Sequence, residues 1–360
     1  MGILGRLLAA GRPRLFEVER RIAGRLGVPL PPVAVQWITT RACDLACDHC
    51  YSEAGRRLDG ELDAAEAGSL ILDEMVKLGS PMLVLAGGEP LLRDDLSIVL
   101  ERAASLGIAW SMHTHGGWVL RRRAWFEAHP PAMVAVSLDG PRELHDRIRG
   151  RVGSFDRALE AIRMLRDLGV REVIAGTTVR RDNADHLGDL EPIVRESGAH
   201  GWGLHLVTPE GRAGSRAELR PTAGQIRRTA RLAHVLRARF KVDLDNEWGS
   251  AGRLDPLYRD GDFFCGAGRS TCVVGATGEV FPCTTTDLKE SAGNIRHRSL
   301  VDIWNQGFAA FRGPEDPLRG DCRDCWLQTR HGSSCRVDAF APSAPDAADR
   351  RPARDWEVVS

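Results

Sequence analysis

No apolar run in the sequence approaches the roughly 20 residues that cross a bilayer, so no membrane span is expected. Net charge is missing too: 49 basic side chains balance 49 acidic ones, which leaves no electrostatic footprint for a nucleic-acid partner. Lysine is scarce, at 77, 241 and 289 only, a bias toward arginine to which we attach no function. Residues 1–8 are mildly amphipathic, but Arg6 interrupts them and no cleavage site follows, so no signal peptide is expected. No Ser–His–Asp set and no carboxylate pair has a claim to catalysis. Cysteine is absent between Cys50 and Cys265, although the chain has nine. A secreted disulfide scaffold is short and evenly stapled. Cysteines gathered into two distant groups read instead as metal ligands in a reducing, cytoplasmic compartment.

The first group lies in Thr39-Thr40-Arg41-Ala42-Cys43-Asp44-Leu45-Ala46-Cys47-Asp48-His49-Cys50-Tyr51, spaced Cys-x3-Cys-x2-Cys. Disulfides between such close neighbours would close tiny, strained loops. Thiolates so spaced converge on one metal centre. A closed structural site wants four protein ligands, whereas three leave a position open for chemistry. A cubane held by Cys43, Cys47 and Cys50 would keep one iron free. The alternative is a zinc knuckle whose fourth ligand lies elsewhere.

Around this stretch the pattern alternates. Apolar runs fall at 33–40, 82–87, 108–114, 133–138, 173–179 and 201–207. Amphipathic stretches of helical period fall at 64–78, 94–106, 121–128, 155–168, 185–197 and 222–238. Six β–α pairs in strict order predict an α/β fold with a parallel sheet and helices outside it. No Gly-x-Gly-x-x-Gly follows the first run, which weakens a dinucleotide-binding reading. In a doubly wound sheet or a barrel, active groups sit at the C-terminal strand ends, where the three-cysteine loop falls. The second run ends in Gly87-Gly88-Glu89-Pro90: two glycines that permit close backbone approach, then a carboxylate.

Together these motifs resemble those of radical S-adenosylmethionine (SAM) enzymes. The resemblance implies a partial (β/α)6 TIM-like barrel. It also implies a [4Fe-4S] cluster on Cys43, Cys47 and Cys50 whose open iron chelates SAM. In that family the motif matching Gly87, Gly88, Glu89 and Pro90 hydrogen-bonds the SAM ammonium group. Ser137 and Asp139, in Ser-Leu-Asp-Gly, match positions near the SAM ribose and the substrate; an Asp before a Gly is equally a turn former. Arg212, in Gly-Arg-Ala, matches a loop near the adenine, against the plain alternative of a solvated surface charge. His115 stands where the family usually has Asn. Asn183 is expected to cap a helix.

The second group of cysteines comprises Cys265, Cys272, Cys283, Cys322, Cys325 and Cys335, with Gly293-Asn294-Ile295 and Ser299-Leu300-Val301-Asp302-Ile303-Trp304 between them. This pattern resembles the SPASM module of radical SAM proteins. The resemblance implies an auxiliary iron–sulfur cluster on Cys265, Cys272, Cys283 and Cys335. It leaves Cys322, Cys325 and His331 for a degenerate second one, because His331 replaces an expected cysteine and a later cysteine is absent. Those last three residues are otherwise a zinc pair, or no site, with a surface histidine. If Cys272 is not a ligand, it is a candidate hydrogen-atom donor to a substrate radical.

The expected organisation is an N-terminal helical extension over 1–32, with its helix at 15–26 and too short for a leader-binding winged helix. The barrel then covers 33–225, a bridge holding Trp248 covers 226–262, the iron–sulfur module covers 263–342, and a tail covers 343–360. The resemblance implies reductive cleavage of SAM to a 5′-deoxyadenosyl radical that abstracts hydrogen from a substrate. Electrons would come from a flavodoxin or ferredoxin. The leading substrate reading is a ribosomally made peptide that gains a crosslink, a thioether or an epimerised residue, with a separate leader-peptide-binding protein or direct recognition. The alternatives are a small-molecule enzyme, either tetrapyrrole-tailoring or of the aminoglycoside dehydrogenase or epimerase type, and a non-catalytic iron–sulfur scaffold.

Overall fold

The structure, a computed structural model, describes residues 29–244, 248, 266–284 and 291–312. The expected helix at 15–26, the tail at 343–360, and Cys265, Cys322, Cys325, His331 and Cys335 lie outside the described residues.

All six apolar runs are strands: β1 (Ala34–Thr40), β2 (Met82–Gly87), β3 (Trp110–Thr114), β4 (Met133–Ser137), β5 (Val173–Val179) and β6 (Gly201–Leu206). Beyond β6 lies β7 (Val242–Leu244), held parallel to it. From β1 to β7 each strand adds beside the last without reversal. A doubly wound sheet needs such a reversal. Successive crossovers of one hand put the helices on one face, which is the winding of a barrel. No ladder joins the two outermost strands among the described residues, so the wall is open.

The sheet is larger than the expected six strands. On the free side of β1, the C-terminal module contributes β8 (Thr271–Val274), parallel to β1, with β9 (Val280–Phe281) antiparallel beside it. The strand that carries the cysteine loop is therefore a central strand of a nine-stranded sheet.

Side chains alternate across this sheet. Val35, Trp37, Leu83, Leu85, Val134, Val173 and Trp202 are buried in one continuous core with Ile71, Val99, Ile162 and Leu190 of the helices. Full burial of each large apolar side chain stabilises the fold by about 1.5–3 kcal/mol. The opposite parity, including Gln36, Val84, His113, Ala135, Gly176, His205, Asp243 and Thr271, lines one cavity of about 440 Å³. Eight strands touching one cavity means that the sheet curls around it. Trp248 braces the β6 side, donating its indole N–H to the Leu204 carbonyl at 2.7 Å.

The helix expected at 64–78, here α1, has a π-helical turn, Ala67–Leu72, between α-helical Ala64–Glu66 and Asp73–Lys77. Asp63 and Glu66 form a capping box at its start. The same helix fastens the C-terminal module. Arg296 grips Glu66 through two 2.7 Å bonds, and Glu74 accepts from Val301 N at 3.2 Å. The other expected helices are α2 (Leu96–Ser105), α3 (Arg123–Ala128), α5 (Ser154–Asp167), α6 (Leu187–Glu196) and α7 (Ala223–Arg237). Among the described residues the unexpected helices are Leu300–Gln306 and Ala309–Arg312 in the C-terminal module and, within the barrel, α4 (Arg142–Arg149), which runs from Pro141 to a left-handed Gly150.

Candidate active site

The cysteine loop leaves β1 at the C-terminal rim and is closed on itself. Cys43 N donates to Gly55 O at 3.1 Å, and Gly55 N returns to Arg41 O at 2.7 Å. Backbone N–H groups point at two of the sulfurs, from Leu45 to Cys43 Sγ at 3.5 Å and from Ala54 to Cys50 Sγ at 3.4 Å. The third, Cys47, is buried and faces the Arg149 guanidinium.

Arg212 is not a solvated surface charge. Its Nε donates to Cys47 O at 2.7 Å, its Nη1 to Ala54 O at 2.6 Å, and its backbone N to Cys50 O at 3.0 Å. This approach depends on Gly211 before it, where a Cβ would lie 2.3 Å from Tyr51 O. The loop after β6 thus clasps the cysteine loop.

The glycines after β2 serve a comparable purpose. A Cβ on Gly88 would stand 2.0 Å from Ala42 O, so only glycine lets this turn lie against the loop. Gly88 N donates to Thr40 O at 2.7 Å and Glu89 N to Ala42 O at 2.8 Å. Gly87 and Gly88 border the cavity. Pro90 opens a short 3₁₀ turn, and Glu89 behind it is fully buried. The Glu89 carboxylate accepts from Leu91 N at 3.2 Å, Thr114 Oγ1 at 2.8 Å and His115 N at 3.0 Å. It supports the rim that meets the cavity.

His115 stands 3.2 Å from Glu89 and 2.9 Å from Asp44. Burial works against its charge, but Glu89 and the Asp44 hydrogen bond outweigh that and hold its pKa up at about 10. The same His115 bond, aided by Arg151, holds the Asp44 carboxyl well below the usual range. On the other side of Cys47, Asp48 is held low by His49 and then by Arg180, and it also accepts from Arg216 at 2.9 Å. Both aspartates of the loop are thus fixed as anions beneath a rim of arginines.

Ser137 lines the cavity, whereas Asp139, two residues on, is fully buried in the wall. Asp139 Oδ1 accepts from Thr178 N at 2.9 Å, and Oδ2 lies 2.7 Å from Arg149 Nε. Burial opposes its ionisation, but the charge of Arg149 prevails and holds its pKa at about 2. Buried His145 accepts from Asp139 N at 3.0 Å, with its pKa pushed down to about 4 by burial. Asn183 sits at a helix N-cap position without capping it. Its side-chain amide donates to Asp139 O and Thr178 O, each at 2.8 Å. Sequence reasoning missed Arg149 and His145 because it missed α4. The available signal was Leu144 and Ile148 one turn apart, followed by Gly150.

The three thiols fit a cluster better than a single zinc. Among the described residues, three metal-type donors crowd within 4.8 Å of one another only at Cys43, Asp44 and His115. Sulfurs around one zinc, with Zn–S about 2.3 Å, stand only ~3.8 Å apart. A wider thiol set on one loop, with N–H groups and a guanidinium aimed at the sulfurs, suits an anionic cubane. Of the second group, Cys272 and Cys283 are described and both border the cavity. Cys272 pairs in register with Val35, belongs to the main core, and has its thiol pKa pushed up to about 12 by burial.

Comparison with known proteins agrees with this geometry. The family model described as the radical SAM superfamily matches residues 37–191, and the SPASM iron–sulfur cluster-binding domain matches residues 265–326. The mycofactocin maturase MftC of Mycolicibacterium smegmatis is 30% identical over 341 residues, covering 91% of this chain and 82% of that protein. An AdoMet-dependent heme synthase of Oleidesulfovibrio alaskensis is 29% identical over 340 residues, covering 88% and 85%. The structure of Streptococcus suis SuiB bound to its precursor peptide SuiA superposes with a TM-score of 0.68 at 14% identity, over 91% of this chain and 78% of that one. The chain belongs to the radical SAM superfamily, in the group whose members carry a SPASM domain. Its cofactors are accordingly a [4Fe-4S] cluster with SAM, and iron–sulfur in the SPASM domain. No helix among the described residues is long and apolar enough to cross a membrane.

Proposed function

We propose that this enzyme modifies a ribosomally made peptide in the cytoplasm by abstracting hydrogen from one of its residues. The observation that carries this reading is the cavity. Its volume of about 440 Å³ sits low in the range of about 300–1,000 Å³ typical for one small-molecule ligand. SAM is itself such a ligand, and Cys43, Cys47, Cys50, Gly87 and Gly88 all border this space. The room left beyond SAM suits an inserted side chain better than a whole macrocycle. The likeness to a mycofactocin maturase and the fold shared with a precursor-bound enzyme support a peptide.

In this reading Cys43, Cys47 and Cys50 hold the cluster, which would supply the electron for SAM cleavage. Gly87 and Gly88 present backbone to SAM, and Glu89 fixes their position. Ser137 would face the ribose and substrate, Asp139 fixes Arg149 against Cys47, and Arg212 clamps the loop. The curled sheet would shield the radical's path from water. Cys265, Cys272, Cys283 and Cys335 would hold an auxiliary cluster, and a flavodoxin or ferredoxin would supply the electrons. A second reading, tetrapyrrole tailoring, draws on the heme synthase likeness that spans most of the chain.

The test is to incubate reconstituted enzyme, SAM and reductant with peptides encoded beside its gene, and separately with iron tetrapyrroles. Mass spectrometry should find a peptide lacking two hydrogens, or one with unchanged mass that takes up solvent deuterium at one carbon. Turnover of a tetrapyrrole with every peptide untouched would replace this reading with the second.

A further inference from the structure

Cys47 is placed differently from the other two thiols of its loop. Cys43 and Cys50 receive backbone N–H groups, with His115 also against Cys43, whereas Cys47, 7% exposed, receives a guanidinium, whose charge is permanent. Arg149 Nη1 points at Cys47 Sγ from 3.8 Å. The other side of the guanidinium is fixed by Asp139, 2.7 Å from Nε and wholly buried.

The backbone beneath is fixed as well. Arg149 is the last residue of α4 before the left-handed Gly150. Asp146, one turn earlier, accepts from Gly153 N at 2.7 Å and Phe155 N at 2.8 Å, which ties the end of α4 to the start of α5. Holding iron requires none of this, because the three thiols suffice.

We infer that Arg149 raises the reduction potential of the cluster bound by Cys43, Cys47 and Cys50, and that Asp139 moderates it. The inference rests on those cysteines being the cluster ligands. Reduction adds one electron and one unit of negative charge to the cluster and breaks no bond. A fixed cation beside a ligating sulfur, in a site shielded from water, favours the reduced form. Asp139 lies beyond the guanidinium and so opposes that effect from further away. Arg149 is therefore a positioning and tuning residue that acts through Cys47.

Wild type, Arg149→Gln, Arg149→Lys and Asp139→Asn are reconstituted anaerobically, and their iron is counted. Each is then poised with dithionite and mediators. The reading is the EPR signal of the cluster that responds to added SAM. Arg149→Gln should keep its iron and show at least a tenfold lower reduced-to-oxidised ratio at a fixed poise, equivalent to about 59 mV for one electron. Arg149→Lys, which keeps the charge, should stay nearer to wild type. Asp139→Asn should move the ratio the other way. Unmoved ratios in Arg149→Gln and Asp139→Asn overturn the inference. If Arg149→Gln fails to hold iron, Asp139→Asn decides alone, and no rise in its ratio overturns it. A wild-type protein without a SAM-sensitive signal overturns it through the cysteine assignment instead.

Discussion

The thiols of the rim loop and Cys272 have the same side chain in opposite surroundings. Around the loop, N–H groups and Arg149 lean toward the sulfurs, and part of the loop's surface meets the cavity. Cys272 lies in the apolar core, where burial pushes its thiol up to about 12. Thiolate, not thiol, binds iron. Burial raises the Cys47 thiol as well, so the loop differs from Cys272 in the N–H groups and the guanidinium that face its sulfurs, not in a lowered pKa. The difference teaches that the two cysteine groups need not load with equal ease.

The largest expected effect would break this comparison outright. Replacing Cys43, Cys47 and Cys50 together by Ala should abolish 5′-deoxyadenosine formation and leave the C-terminal iron in place. Continued SAM cleavage in that variant would mean that the radical site lies elsewhere. Next, Cys272→Ala should lower the iron content from about eight to about four per chain, with loss of turnover. Full iron with SAM cleavage but no product would instead make Cys272 a hydrogen donor and point to epimerisation.

Glu89→Gln should weaken SAM binding by about one to two decades, equivalent to roughly 1.5–3 kcal/mol, because the turn that presents Gly87 and Gly88 loses the charged acceptor that fixes it, with little change in iron loading. Calorimetric SAM titration would decide it, and unchanged affinity would reduce the motif to a structural turn. Arg212→Met removes two side-chain bonds to loop carbonyls. Its expected sign is slower iron uptake and easier proteolysis near residue 50, and unaltered uptake would count against the clasp.

The smallest effect concerns pH in the cluster-free protein. The folded-state pKa of His115, about 10, exceeds its ordinary value of 6.5. Its contribution is therefore complete below about pH 6.5 and is lost as pH rises through about 10. His115→Gln should melt lower than the parent near neutrality, and the gap should close by about pH 10. A gap that is flat across this range would show that the imidazole is not charged.

The order of strands and helices was legible because each strand is a short apolar run and each helix repeats every turn. Cys43, Cys47, Cys50 and Gly87–Pro90 were legible because their chemistry lies within one short stretch. What escaped was set by distance along the chain. The partner of His115 is Asp44, 71 residues earlier, and nothing local announces it. Arg212 was singled out by its Gly-Arg-Ala setting, yet nothing local showed that it closes a loop 165 residues before it. Helix α4 is brief and mostly charged, so its pattern hid a buried arginine. The attachment of β8 to β1 was invisible because a four-residue strand carries no mark of its partner.

That attachment also sets a timetable for the newborn chain. One edge of β1 is covered by residues 271–274, which leave the ribosome more than two hundred residues after it. Until then the strand that precedes the cysteine loop presents open hydrogen-bonding groups, the kind of edge on which unrelated strands stack. Cells making this protein quickly should therefore accumulate insoluble, partly synthesised chains. Slower translation or a chaperone that shields nascent β1 should raise the soluble yield more than any change to the iron supply.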